Sequence, residues 1–382
     1  MFSDVSVLVI AVVFVAINGL TMLAWAAAQG YKMKPTAFAF IVGAVGNLLT
    51  GSITPISGQS SILTVSHFMK NINERIGALL LAVLVMIPLG LFGMVTRIAD
   101  FAGPAVVGGM MAGVGIMVAG ISVKMLKQEK RTGIIAFVSA LATHVIFLGN
   151  PNALVYVIGV SVTLATLDFV FLQKRRVDLF ATAQKDGYVG DMAQTDNPKF
   201  WTKAYWTDFK IMKPKFSIKA IYFALAFISL NIGTNIAFGN ITAGFAGATQ
   251  NMDHLTVINS LADVPSVIFG GAPVGAIISA TAAAPWPVTA GVIMMLLCAL
   301  LLLLGLMTKA VKYIPVQAIA GFLFIIGFFS TLVPNLERSF GTGNTAAATV
   351  AMALTALTKN PFIGLVGGVA VRYIGVYFGL SA

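Results

Sequence analysis

The stretch GGAPVGAIISATAAAPWP, Gly270 to Pro287, interrupts one of the most apolar parts of the chain. A glycine pair and Pro273 break it at its start, small residues and hydroxyls follow, and Pro-Trp-Pro closes it. The residue before a proline avoids the helical region, so Ile268 to Gly270 are expected to be extended rather than helical. A second interruption, GNLLTGSITPISGQSSIL at 46–63, answers it, with Pro55 in the place of Pro273 and Ser52 to Pro55 extended.

The 382 residues are 58% hydrophobic and 10% charged. Soluble domains carry about 25% charged residues, so this composition reads as a polytopic membrane protein. Every span must satisfy its own backbone in hydrocarbon, which makes the fold all-α. Residues 5 to 29 lack a basic leader and are read as a mature first span, not a signal peptide. The net charge of +11 sits in short loops beside apolar spans, the pattern of loops kept on the cytoplasmic side, and gives no support to nucleic-acid binding. The single Cys298 excludes a disulfide within the chain. Metal-ligand clusters, P-loops, dinucleotide motifs and nucleophile–base pairs are absent from the sequence, so neither a catalytic nor a metal-binding residue is assigned and an enzyme is not expected.

Hydropathy and helix breakers together suggest about fourteen membrane segments. Those of the first half are 5–29, 35–52, a broken one at 54–68, 76–98, 103–123, 132–149 and 153–172; a polar insert occupies 173–219. Those of the second half are 220–239, 254–269, a broken one at 271–284, 287–307, 314–334, 341–358 and 361–380. LGLFGMVTRIADFAGPAVVGGMMAGVGI in the first half matches LGLMTKAVKYIPVQAIAGFLFIIGF in the second, Pro104 pairing with Pro315. Two copies of seven spans would enter the membrane from opposite faces, the inverted repeat of secondary transporters.

Corresponding interruptions in both copies point to the binding site of such a protein. A helix starting at mid-membrane leaves its first amides without intrahelical partners, so something polar must meet them. Segments 3 and 10 are therefore expected to be short half-helices preceded by extended strands. Gly58, Gly271 and Gly275 would let a ligand approach the backbone, and Ser57, Gln59, Ser60, Ser61 and Ser279 add directional partners. Paired positive helix ends favour an anion or an electron-rich carbonyl.

VGNLLTGSITPISGQSS, INSLADVPSVIFGGAP with the small-residue run after it, and KYIPVQAIAGFLFIIG resemble the nucleobase:cation symporter family of uracil and xanthine permeases. That family shares one superfold with sulfate permeases and bicarbonate transporters. The resemblance implies a core domain from 1–100 and 220–307, a gate domain from 101–172 and 308–382, an elevator-type movement of core against gate, and substrate held between segments 3 and 10. By position it implicates Ser57, Gly58, Gln59, Ser60 and Ser61 on one side, and Ala272, Val274, Gly275 and Ala276 on the other. Asn231, Thr234 and Asn235 in SLNIGTN take the place of the family's polar eighth span. The acids that this family places on its eighth and tenth spans are missing, and AIISATAAA is closer to sulfate permeases.

Asp263, beside the tenth segment, is the candidate for a coupling proton or Na+ and otherwise a helix cap. No other cofactor is expected. The expected partners are a small-molecule substrate, the lipid bilayer and, by resemblance, a second copy in a homodimer. The insert holds ten Lys or Arg against five Asp, which places it in the cytoplasm of a bacterium whose inner membrane holds the protein. Fourteen spans would then put both termini outside, whereas the resemblance puts them inside. The expected function is secondary transport of a nucleobase of uracil or xanthine type. The alternatives are an inorganic or small organic anion of sulfate or bicarbonate type, and a channel or structural membrane subunit.

Overall fold

The computed structural model describes residues 3–58, 71–177, 206, 209–307, 309, 313–341 and 344–377. Gln59, Ser60 and Ser61, and most of the insert, lie outside the described residues. The first half contains α1 (Asp4–Ala28), α2 (Met33–Thr50), strand β1 (Ile56–Ser57), α3 (Ile72–Leu91), α4 (Met94–Gln128), α5 (Lys130–Ile146) and α6 (Ala153–Leu172, its last turn a π-helix). The second contains α7 (Ile218–Phe245), α8 (Met252–Ile268), strand β2 (Gly275–Ala276), a 3-10 turn (Ala280–Ala283), α9 (Pro287–Leu303), α10 (Val316–Phe340, with a π-helical middle), α11 (Thr345–Thr358) and α12 (Pro361–Tyr377).

Two expectations are corrected. The fold is an all-α polytopic membrane protein, but not one of about fourteen spans: among the described residues six helices, α2, α3, α4, α6, α7 and α10, are long and apolar enough to cross a membrane. Helices α5, α8, α9, α11 and α12 have 17 residues or fewer. The 14 residues of α11 rise about 21 Å, short of a hydrocarbon core of about 30 Å. The tenth segment is also no half-helix. Ala284 precedes Pro285 and is extended (φ −88°, ψ 159°), and Trp286 precedes Pro287 and is left-handed (φ 54°, ψ 66°). Ser279 at the other end is extended as well, which leaves only Ala280–Ala283 to coil. In the third segment the described residues are extended and end in β1.

The helices pack in two groups. In one, α2 lies against α8 and α9, α3 against α7 and α8, and α1 against α9. In the other, α4 is wrapped by α10, α11 and α12, while α5 packs on α6 and α10. The second group is built on small residues, which let backbones approach closely where lipid supplies no hydrophobic drive. A Cβ on Gly109 would collide with the Ala348 carbonyl, and one on Gly321 with the Ala136 carbonyl.

The first turns of α4, Met94–Ala102, join the two groups between glycines that alone tolerate their backbone: Gly93 (φ 68°) and Gly103 (φ 77°, ψ 165°). The front of this connector is tied to α8, where Asp253 Oδ1 accepts from the Val95 and Thr96 amides at 2.9 and 3.2 Å. Its end is tied to α12, where Arg372 Nη1 donates to the Ala102 and Phe101 carbonyls at 2.8 and 3.2 Å.

Gly321→Leu is expected to lower the stability of the purified protein by about 1–3 kcal/mol through overpacking. Gly120→Leu, with nothing within 4 Å of the added carbon, should change it by less than about 0.5 kcal/mol. Thermal unfolding in detergent distinguishes the two.

Candidate functional site

Non-helical backbone survives at membrane depth only where protein or an enclosed cavity satisfies it. Both breaks meet that demand through side chains from the opposite half. After α2, Gln250 Oε1 accepts from the Ile53 amide at 3.1 Å, the Ser52 hydroxyl at 3.2 Å and the Thr54 amide and hydroxyl at 3.4 Å. Asn47 of α2 donates to the Thr54 carbonyl at 2.9 Å. After α8, the Thr36 hydroxyl of α2 accepts from the Ala272 amide at 2.8 Å, and the Lys32 amide donates to the Gly270 carbonyl at 2.9 Å. Asp263 and Ser266 of α8 complete the set: Asp263 Oδ1 accepts from the Val274 amide, and the Ser266 hydroxyl donates to the Ala272 carbonyl, each at 2.8 Å.

The pattern is reciprocal. The break after α2 is held by Gln250, two residues before α8 begins, and the break after α8 by the opening turn of α2.

The two breaks then meet as antiparallel strands, Ile56 opposite Ala276 and Ser57 opposite Gly275. The Ile277 amide extends the ladder to the Pro55 carbonyl at 3.2 Å. Ser57 stands two positions after Pro55, and Gly275 two after Pro273. Equivalent residues of the two breaks thus face one another, which puts a local two-fold axis between them. The strand residues are buried on both sides.

Pairing accounts for amides that the sequence left bare, yet one polar group remains over. The Ser57 hydroxyl is buried, with the residue 1% exposed, and has no hydrogen-bond partner among the described residues. It faces Gly19 of α1, where a Cβ would run into it. Gly58 is buried against Leu23 and Met22 of the same helix. Beyond β2, the Thr242 hydroxyl of α7 donates to the Ile277 carbonyl at 3.0 Å, and the Ser279 and Thr281 hydroxyls bond each other at 2.7 Å.

Ala272, Val274, Gly275 and Ala276 therefore lie on the extended limb of the crossing, together with Ser57 and Gly58. The α7 residues are employed differently. Thr234 bonds the Leu230 carbonyl at 2.8 Å, and Asn231 Nδ2 the Phe227 carbonyl at 3.1 Å, both within their own helix. Asn235 joins α7 to α8, donating to Thr256 Oγ1 at 3.0 Å and accepting from Asn259 Nδ2 at 2.7 Å. Among the described residues, no three of His, Cys, Asp or Glu gather to hold a metal. Sequence reasoning missed Gln250, Thr36 and Ser266. Repeat symmetry offered one signal for Gln250 and Thr36, a polar residue near the start of the span that precedes each break.

No family model and no curated protein matches the chain. Solved structures do share its fold. The transmembrane domain of the cyanobacterial bicarbonate transporter BicA superposes with a TM-score of 0.52 at 15% identity, over 96% of this chain and 98% of that one. SLC26A9 superposes with a TM-score of 0.53 at 12% identity, over 98% of this chain, which spans 65% of SLC26A9's length. The superfold expected from sequence is thus shared, while neither neighbour speaks for the narrower placement among uracil and xanthine permeases.

Gln250→Leu should leave the Ile53 and Thr54 amides without an acceptor at a cost of about 1–3 kcal/mol. Hydrogen exchange at residues 52–54 is expected to rise at least about tenfold, since each 1.4 kcal/mol is tenfold in an equilibrium. Gln250→Glu, which keeps the acceptor oxygen, should stay near the wild-type rate.

Proposed function

We propose that the chain is a secondary transporter of a small inorganic or organic anion, of the bicarbonate or sulfate kind, bound where β1 crosses β2. The observation that carries the reading is the buried Ser57 hydroxyl at this crossing, unpartnered among the described residues, in a fold shared end to end with the transmembrane domain of a bicarbonate transporter. A hydroxyl and main-chain dipoles among small residues suit a compact oxyanion, which needs donors and little shape-specific surface.

A nucleobase needs a donor and an acceptor presented side by side. Both ends of the Asn235 amide are spent between α7 and α8, and the Asn231 amide nitrogen is spent on its own helix. This favours the anion over uracil or xanthine.

Asp263 is one hydrogen bond from the Val274 amide, which immediately precedes β2. In the proposed cycle it carries the coupling proton or cation, whose charge offsets that of the cargo and whose arrival is felt in β2 through that bond. The core domain is 1–100 with 220–307, and the gate domain is 101–172 with 308–382. The two-group packing and the connector pinned by Asp253 and Arg372 support that division. Rotation at Gly93 and Gly103 would let the core slide without tearing the connector from either anchor.

Proteoliposomes containing the protein are expected to take up labelled bicarbonate or sulfate saturably, with suppression by excess unlabelled anion. Ser57→Ala should reduce uptake by about tenfold or more, the loss of one hydrogen bond to a charged group. Uptake of uracil or xanthine that ignores these anions, or single-channel currents, would contradict the proposal. Asp263→Asn keeps an acceptor for Val274, so it should preserve the fold while removing the dependence of uptake on a proton or Na+ gradient; an unchanged dependence would return Asp263 to a capping role.

A further inference from the structure

Away from the crossing, α5 and α6 border an open groove of about 530 Å³ lined by Ile135, Leu164, Leu167, Asp168, Phe171 and Leu172. Its walls look outward: Leu164 and Leu167 are each 46% exposed, and Phe171 and Leu172 more so. Such an apolar face belongs against hydrocarbon, so the basic residues that follow Leu172 mark the rim, the level where acyl chains give way to headgroups.

The rim is strongly basic. Residues 124–131 and 168–176 carry seven Lys or Arg, namely Lys124, Lys127, Lys130, Arg131, Lys174, Arg175 and Arg176, against Glu129 and Asp168. Two of the cations are oriented by these acids. Arg131 Nη2 and Nε bond Asp168 Oδ1 at 2.7 and 3.1 Å, and Arg175 Nη1 meets Glu129 Oε1 at 2.9 Å while its guanidinium lies over the Phe169 ring. Gln173 holds the other Asp168 oxygen, so Asp168 is saturated by its neighbours. Yet the Arg131 side chain remains 60% exposed, with Nη1 turned to no protein partner among the described residues. Lys130, Lys174 and Arg176 stand exposed nearby without an acidic partner among the described residues, Arg176 against the Tyr313 ring.

We infer that this place binds an anionic glycerophospholipid, its phosphate between Arg131 and Lys130 on one side and Lys174 on the other, and one acyl chain in the groove below. Charge complementarity selects the occupant. The rim has a large excess of fixed cations at headgroup depth, and apart from Asp168, which Arg131 and Gln173 hold, the groove beneath has hydrocarbon walls. A zwitterionic lipid would bring a cation of its own into that field, whereas an anionic one brings only the charge the rim lacks. Arg131 is fit for the role because Asp168 fixes its planar fork while leaving donors outward.

Native mass spectrometry of the delipidated full chain, given equal amounts of phosphatidylglycerol and phosphatidylcholine, tests this. The wild type should retain the anionic lipid over the zwitterionic one by at least about tenfold, and Lys130→Gln/Lys174→Gln should cut the anionic adduct about fivefold or more per charge removed. Leu164→Trp, at an exposed position that leaves the fold intact, should reduce retention of the anionic lipid by filling the groove. Inorganic phosphate in excess should not displace the lipid, because it lacks the chain. Equal retention of the two lipids, adducts unchanged in both variants, or displacement by inorganic phosphate would each overturn the assignment.

Discussion

A main-chain amide or carbonyl at membrane depth must find a partner within the protein, and here two segments stop being helices at that depth. Each unsatisfied group costs several kcal/mol in hydrocarbon. The rest of the architecture is arranged around meeting that demand twice. The breaks satisfy each other through the β1–β2 ladder, and borrow what the ladder does not provide from side chains at the starts of α2 and α8. Because each break is held by the opposite half, neither half can complete its own centre. The antiparallel pairing of Ser57 with Gly275 is what an inverted duplication produces when its two equivalent segments meet on the symmetry axis.

That interdependence explains the distribution of polar residues. Asn235, Thr256 and Asn259 knit α7 to α8, while Asn47, Thr36, Ser266 and Asp263 serve the backbone of the breaks. At the ladder itself, one buried hydroxyl, that of Ser57, has no partner among the described residues, and its position beside the paired strands makes it informative. The second helical group is held differently, by glycines and alanines in close backbone contact around α4, which makes it a stiff counterpart to the polar group. The connector between Gly93 and Gly103 belongs to both, fastened at one end by a carboxylate and at the other by a guanidinium.

Much of this was legible in the sequence. Proline and glycine within apolar runs located both breaks, and the pairing of Pro55 with Pro273 carries the register of the strands. The coil after β2 was overestimated because Ala280–Ala283 reads as a helix former. Its length is set by its neighbours: extended Ala284 before Pro285 and left-handed Trp286 before Pro287 cut it to four residues. Counting hydrophobic runs also counted helices too short to cross, α11 among them. The clasp of Gln250 on residues 52–54 was out of reach, since its partners lie 196 to 198 positions away and a lone glutamine before a helix looks like solvent-facing loop. Asn235 looked like a ligand because hydropathy cannot tell an amide facing a cavity from one facing the next helix.

The central claim is that an anion sits at the strand crossing, next to the Ser57 hydroxyl, which no described residue bonds. Anomalous scattering from selenate, a heavy stand-in for sulfate, soaked into crystals of the protein would locate it directly. The account predicts a peak about 3 Å from Ser57 Oγ, at hydrogen-bond distance, and its disappearance in the Ser57→Ala protein. A selenate peak elsewhere in the molecule, with the crossing closed around Ser57 and transport intact, would contradict it.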